Sequence, residues 1–443
     1  MNMSTRSENL AYFEFYTADG KVTSIKTHQF NETFLYELDP SCRTSKFDLY
    51  NIAIAFFELE RQLILKKKVV KIVIPITSST FNRIDQKNVL KILKSISLFI
   101  FNKNIIFELN PCLNVNYQSN MIETDQKYDS ICLFSGGADS FVGVLNAKKR
   151  KDKVLSLFIW HKSSKKLCSY IKTLKTELLD QEKISFEKVN VPDQIKYGYS
   201  QSRGLLYLIC GGIYASMYKS NNLILSECGV TIYQPRFGEL DKTTYTSHPE
   251  IQAYSRELIK EFLGLEINIE TPFENNTKSE MFAMASRKEL LKNTHSCITS
   301  MYGKNIGTCY GCMIRRIGFI VADIEDCDYL HDIFTLEDDS FLEYARTYGE
   351  RRVNDFLELM KFSFDVLVNY QKMDYRKKEK IETYGKYDLF RRFSLDTFAA
   401  IYILYEEKNV TLNPRIKNAY LDAIKYISKK EIEDRISYVR NLK

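Results

Sequence analysis

The chain has 443 residues, 44% of them hydrophobic, which is enough to bury a sizeable core and favours two or three domains over one. Its 63 Lys and Arg against 56 Asp and Glu leave a formal charge of +7, an excess that suits anionic small molecules and is weak support for a nucleic-acid partner. No apolar run reaches the roughly 18 residues that span a bilayer, and the N-terminal MNMSTRSENLAYFEF lacks the apolar stretch of a secretory signal, so no membrane partner and a cytoplasmic location are expected.

The first 120 residues read as an α+β domain. Strands are expected at 11–17, 22–27 and 69–77 and a helix at 47–65; NVLKILKSISLFIF at 88–101 has helical apolar spacing, and 105–109 is a short apolar strand. Residues 116–127 are polar enough for a linker, which puts a boundary near 120. From 121 to 330 the pattern alternates. Strands at 131–134, 154–160, 186–191 and 223–226 are separated by helices near 140–149, 165–181, 204–219 and 249–263, which predicts a parallel sheet covered by helices on both faces. From 331 to 443 the chain reads as helical, with segments at 355–370, 395–405 and 418–426.

The strand Ile131-Cys132-Leu133-Phe134 runs into Ser135-Gly136-Gly137-Ala138-Asp139-Ser140. Adjacent glycines let backbone turn sharply against an anion, and the first free N–H groups of the following helix favour phosphate. Ser135 and Ser140 add hydroxyl donors. Asp139 would repel phosphate by itself, and makes sense if it orients Mg²⁺ against phosphate oxygens. The competing reading is an ordinary tight turn with Ser140 or Asp139 as a helix cap. The loop lacks the Gly-Lys-Ser/Thr ending of a Walker loop, which points away from γ-phosphoryl transfer.

This S-G-G-x-D-S loop resembles the PP-loop of the ATP pyrophosphatases, a family of adenine nucleotide alpha hydrolase-like fold that holds the outer phosphates of ATP and exposes its α-phosphate. The resemblance implies ATP and Mg²⁺, with Phe134 through Ser140 at the nucleotide. Within that superfamily three further elements are similar to the QueC (7-cyano-7-deazaguanine synthase) group. These are Ser202-Arg203-Gly204 before an apolar helix, Glu270-Thr271-Pro272 followed by Thr277-Lys278-Ser279-Glu280, and His295-Ser296-Cys297 with Cys309-Tyr310-Gly311-Cys312-Met313-Ile314-Arg315. The resemblance adds Arg203 to the nucleotide contacts and Lys278, beside Asp139, to the catalytic residues. Lys278 and Glu280 read alone are ordinary first-turn residues of a helix capped by Thr277.

The C-x₂-C at Cys309 and Cys312 with a distant third cysteine, Cys297, is a metal signal. Where the family pattern has four cysteines, Ile306 stands in place of the second, and three thiolates do not close a tetrahedral structural site. His295, water or a substrate atom could fill the fourth position and hold Zn²⁺. The other readings are a loop that has lost its metal, and three core thiols.

QueC-type chemistry implies that a deazapurine-like acid, 7-carboxy-7-deazaguanine in the synthase, attacks the α-phosphorus of ATP and that an amine then displaces AMP; in the synthase the amine is ammonia, and a second activation dehydrates the amide to a nitrile. Beyond about residues 128–325 the chain resembles the larger QueC-like proteins of bacterial anti-phage defence operons (QatC-like), on Thr246-Ser247-His248-Pro249 and the Cys-Met-Ile-Arg-Arg ending. Those relatives imply an acceptor amine on a partner protein from the same operon. Phe158, Trp160, Tyr233 and Phe237 are candidates for the face of the heterocycle or for plain core, and Glu227 and Asp241 for its edge or for Mg²⁺. A tRNA-modifying PP-loop enzyme and a non-catalytic nucleotide-binding scaffold are the alternatives.

Overall fold

The strand that precedes the glycine loop, β5 (Ser130–Leu133), lies in the middle of a five-stranded sheet in which every pairing is parallel. The order is β7-β6-β5-β8-β9, with β6 at Val154–His161, β7 at Ser185–Val191, β8 at Asn222–Ile224 and β9 at Asn268–Glu270. From β5 the chain steps outward to β6 and β7, then returns to the other side of β5 as β8. That reversal opens a crevice beyond the C-terminal ends of β5 and β8, the place where open parallel sheets collect ligands. The computed structural model describes residues 12–17, 20, 22–26, 40–61, 69–112, 126–161, 175–180, 182–191, 201–233, 245, 247–297, 305–337 and 343–442.

A second, four-stranded sheet lies upstream in the order β2-β1-β3-β4, from β1 (Tyr12–Thr17), β2 (Val22–Lys26), β3 (Val69–Thr77) and β4 (Ile106–Cys112). β1 is antiparallel to both β2 and β3, while β3 and β4 are parallel and joined through the helix Gln86–Phe101. Pro75 of β3 pairs only toward β4, past Val73 where the register with β1 ends, so its missing N–H costs no ladder bond on the β1 side.

The central strands bury both faces, and their side chains separate by the period of two. Ile131, Leu155, Leu157 and Leu223 join a core with the helices Pro40–Arg61, Gln86–Phe101, Arg203–Met217 and Pro249–Leu263. Cys132, Val154, Phe158 and Ile224 join another, with the helices Ala138–Lys149, Tyr310–Val321, Glu343–Leu367 and Tyr387–Tyr402. Each core therefore runs through the central sheet into one flanking segment.

The α/β class with a parallel core is as expected. The differences are local. The helix expected at 47–65 begins earlier, at Pro40, where proline's fixed φ is tolerated in a first turn. Within the helix expected at 165–181, the described part is a π-helical turn at Lys175–Leu179 followed by a turn, and 162–174 lie outside the described residues. β9 was not anticipated: three residues, Asn-Ile-Glu, are too short to display a period. The C-terminal helices are Glu343–Leu367, Tyr375–Thr383, Tyr387–Tyr402, Pro414–Ala423 and Lys429–Arg440, longer or shifted relative to the expected segments.

Gly143 sets how closely the loop helix approaches the segment just after β8, because a Cβ there would lie 1.6 Å from Ser226 Oγ. Gly143→Ala should lower stability by about 1–3 kcal/mol through overpacking, read as a fall in thermal midpoint. An unchanged midpoint would show that the helix can shift away.

Candidate active site

Leu133 ends β5 and the chain turns at once. Phe134 N–H is tied to Leu157 O at 2.9 Å, and Gly136 takes φ of +79°, a left-handed conformation that costs any side chain but glycine's. Ser140 Oγ donates to Gly137 O at 2.9 Å and accepts from Ser135 N at 3.2 Å, which folds the loop back over the helix start. No side chain caps the helix Ala138–Lys149, so its first N–H groups and positive dipole end are presented beyond the sheet. Gly137 N–H donates to Ser135 Oγ at 3.3 Å and the Ser140 hydroxyl is spent within the loop, which leaves the N–H groups of the helix start and the Ser135 hydroxyl as the candidate anion cradle. Phe134 differs from expectation in one respect. Its ring is buried in the core and its N–H is spent on β6, so it shapes the cradle without lining it.

Three ionisable side chains gather at this cradle from three different strands. Asp139 follows β5, Glu227 follows β8 and Lys278 follows β9. Lys278 Nζ lies 3.0 Å from Asp139 Oδ2, and both side chains are largely buried. Burial pulls the Lys278 ammonium down, but Asp139, Cys228 and Glu227 together hold it above its usual value, so it stays charged. Glu227 is pushed up to about 7, by burial first and by the negative charge of Asp139 second, against the opposing pull of Lys278 and Arg203.

Lys278 opens the helix Lys278–Ala283, which is fixed by a full capping box. Thr277 Oγ1 accepts from Glu280 N, and Glu280 accepts from Thr277 N at 3.0 Å. Arg203 opens the helix Arg203–Met217. Its guanidinium stacks 5.6 Å over the Tyr207 ring, and its buried Nε has no hydrogen-bond partner among the described residues. An unpaired guanidinium nitrogen whose charge reaches Glu227 suits a negatively charged ligand.

Cys297, Cys309 and Cys312 come together, with their three sulfurs within 4.8 Å of one another and Cys297 Sγ 3.8 Å from Cys309. Zinc–sulfur bonds of about 2.3 Å in a tetrahedron place sulfurs about 3.8 Å apart, so the trio fits Zn²⁺. The ring nitrogens of His295 do not lie within 4.8 Å of all three sulfurs. Its backbone N–H donates to Gly136 O at 2.9 Å and its carbonyl lies against Gly137, while its ring hydrogen-bonds the Cys297 backbone. Among the described residues no fourth ligand joins the three thiols, and the intervening Ile298–Lys304 stretch, ITSMYGK, contains no Cys, His, Asp or Glu.

Arg315, fully buried, ties this loop in place. It bonds Asp326 through two nitrogens at 3.0 and 2.8 Å, Thr294 O at 3.1 Å, Thr294 Oγ1 at 2.6 Å and Leu291 O at 3.1 Å. The sulfur site and the anion cradle are therefore two ends of one short hydrogen-bonded loop.

Of the heterocycle candidates, Phe158 is core, tilted against Phe186 at 6.2 Å. Tyr233 is buried, with its ring under Lys386 Nζ at 4.5 Å and 5.2 Å from Tyr384. Trp160 lies on β6 with its side chain outside the description; Phe237, Asp241 and Thr246 lie outside the described residues. His248 caps the helix Pro249–Leu263 and meets Tyr384 at 3.2 Å. Cys228, Glu60, Arg392, Asp396 and Arg435 also contact or act on the site's residues without having stood out in the sequence. The last four lie outside every motif, and no local signal marks them.

Comparison with known proteins points the same way. Residues 129–323, under half of the chain, match the family model described as "Queuosine biosynthesis protein QueC". The chain is 26% identical over 163 residues to the 7-cyano-7-deazaguanine synthase of Buchnera aphidicola subsp. Schizaphis graminum, covering 34% of this chain and 64% of that protein, less than two thirds of its length. It is 24% identical over 250 residues to the 7-cyano-7-deazaguanine synthase of Picrophilus torridus, covering 49% of this chain and 95% of that protein. The central section is QueC-like.

Two measurements test the site. The purified chain should carry about one zinc per chain, and Cys309→Ser or Cys312→Ser should lose it with a lower thermal midpoint; wild-type protein with no bound zinc would contradict the assignment. Glu227, at about 7 in the fold against 4.5 as a free side chain, takes stability away as pH rises from the lower value toward the higher. Glu227→Gln should therefore stabilise the ligand-free protein by about 1–2 kcal/mol at pH 8 and not at pH 5. Equal effects at both pH values would show that the carboxyl does not titrate between them.

Proposed function

We propose that the chain is an ATP-consuming ligase that adenylates a carboxylate, releases pyrophosphate, and transfers the acyl group to an amine with release of AMP. One observation carries this reading: the anion cradle sits at the switch point of a parallel sheet with the Asp139–Lys278 pair against it, inside a section similar to QueC. The acid we propose is of the 7-carboxy-7-deazaguanine class, since the similar enzymes are named for the corresponding nitrile.

The roles follow from position. The N–H groups of the helix start and the Ser135 hydroxyl hold the outer phosphates of ATP, with Ser140 bracing the loop through Gly137 O and Ser135 N. Arg203 and Lys278 offset the charge that builds up as a carboxylate oxygen attacks the α-phosphorus and pyrophosphate leaves. Asp139 keeps Lys278 charged and aimed, and is the residue that would hold Mg²⁺, which when bound polarises phosphate oxygens. Glu227 has a proton affinity suited to accepting the proton of the attacking amine in the second half-reaction.

For the acceptor we favour an amine on a partner protein, in the anti-phage setting of the larger QueC-like relatives, and the cytoplasm as the location. The division we propose is 1–120, 121–330 and 331–443, a division by sequence pattern, because both hydrophobic cores cross its boundaries.

The test is AMP and pyrophosphate release from ATP and Mg²⁺ with and without 7-carboxy-7-deazaguanine. Acid-dependent AMP that falls by about 10³-fold in Asp139→Ala is expected. Tight ATP binding with no AMP under any condition would instead support a nucleotide-binding scaffold.

A further inference from the structure

Both cations of the site stand on helix starts, and each start is gripped by a segment outside the QueC-like section. Glu60, near the end of the helix Pro40–Arg61, reaches the turn before Arg203. Its carboxylate accepts from Gln201 N at 2.8 Å, from Ser202 N at 2.9 Å and from Ser202 Oγ at 2.5 Å. Those bonds take up the backbone donors immediately before the helix that opens with Arg203, so they fix where its side chain begins. Glu60 itself is buried.

At Lys278 the grip comes from the C-terminal helices. Glu280, the capping-box partner of Thr277, is fully buried and meets two guanidinium groups. Arg435 gives it a bond of 2.7 Å, and Arg392 pairs with both of its carboxylate oxygens. Arg435 also donates to Thr277 Oγ1 at 3.0 Å and forks onto Asp396 at 2.7 and 3.2 Å. Burial alone would raise Glu280, but Arg435 and Arg392 overcome it and hold the carboxyl below its usual range, so it stays ionised and keeps the cap closed.

We infer that Glu60 and Arg435 are positioning residues: the segments before and after the QueC-like section are working parts of its active site, each fixing one of the two cations that receive the anionic substrate. This rests on the proposed adenylation for the identity of that substrate, but the geometry it predicts can be read without turnover.

Removing Arg435 takes the guanidinium from buried Asp396, leaves Glu280 with Arg392 alone, and endangers folding. The variants are therefore Arg435→Lys, which keeps the charge and loses the fork, and Glu60→Gln, which keeps the shape and loses one acceptor. Arg391→Ala, which breaks an exposed pair with Glu431, is the control. Competition labelling of lysine amines, read by mass spectrometry on the full chain, should show Lys278 becoming about fivefold or more reactive in Arg435→Lys, with other lysines unchanged. Direct ATP·Mg²⁺ binding should weaken about tenfold in Glu60→Gln, and where turnover occurs KM for ATP should rise more than kcat falls. Arg391→Ala should behave as wild type in both assays. Folded Arg435→Lys and Glu60→Gln proteins with wild-type Lys278 labelling and wild-type ATP affinity would overturn the inference. Failure of the adenylation reading looks different: wild-type protein would make no acid-dependent AMP, while the labelling and binding shifts remained.

Discussion

The ion pair between Asp139 and Lys278 is the constraint around which the molecule is arranged. It joins residues 139 positions apart across the ends of β5 and β9, and it brings a carboxylate to a loop whose other groups are all suited to anions. A lone aspartate there would repel phosphate, and a lone buried lysine would tend to lose its proton. Beside Asp139 the Lys278 ammonium stays charged, and the two act in opposite directions on Glu227, whose carboxyl is pushed up to about 7 by burial first and by Asp139 second.

Such a pair needs rigid supports, because a short helix start and a glycine turn are weakly held by themselves. The glycine turn is held from one side by its own serines and from the other by His295, whose loop is anchored by Arg315 and closed by the three cysteines. Zinc there would lock the segment behind the cradle. The six-residue helix carrying Lys278 is held by buried charge from the C-terminal helices. Buried ion pairs are costly to assemble and contribute more to fixing one geometry than to net stability. That balance makes sense where the geometry is the functional requirement.

The glycine loop was legible in the sequence because the residues that make it are contiguous, and so were the cap at Thr277 and the cysteine trio. The parallel sheet was legible from alternating apolar runs. What stayed hidden had either too little chain or too much separation. β9 has three residues and no period to read. His295 lies two residues from Cys297, and the bond from its backbone N–H to Gly136 O in the glycine loop had no signal in the sequence. Arg435 and Glu60 resembled ordinary charges on solvated helix faces, since their partners lie 155 and 142 positions away.

By itself the sequence determined the class of core, the place of the anion cradle and the chemistry of its side chains, because these depend on neighbours in the chain and on periodicity. Only the tertiary structure decided which charges meet: that Lys278 faces Asp139, that Glu227 shares their field, and that the flanking segments clamp the helices bearing Arg203 and Lys278. The physical reason is that electrostatic coupling depends on distance and burial in space, and neither is encoded in spacing along the chain.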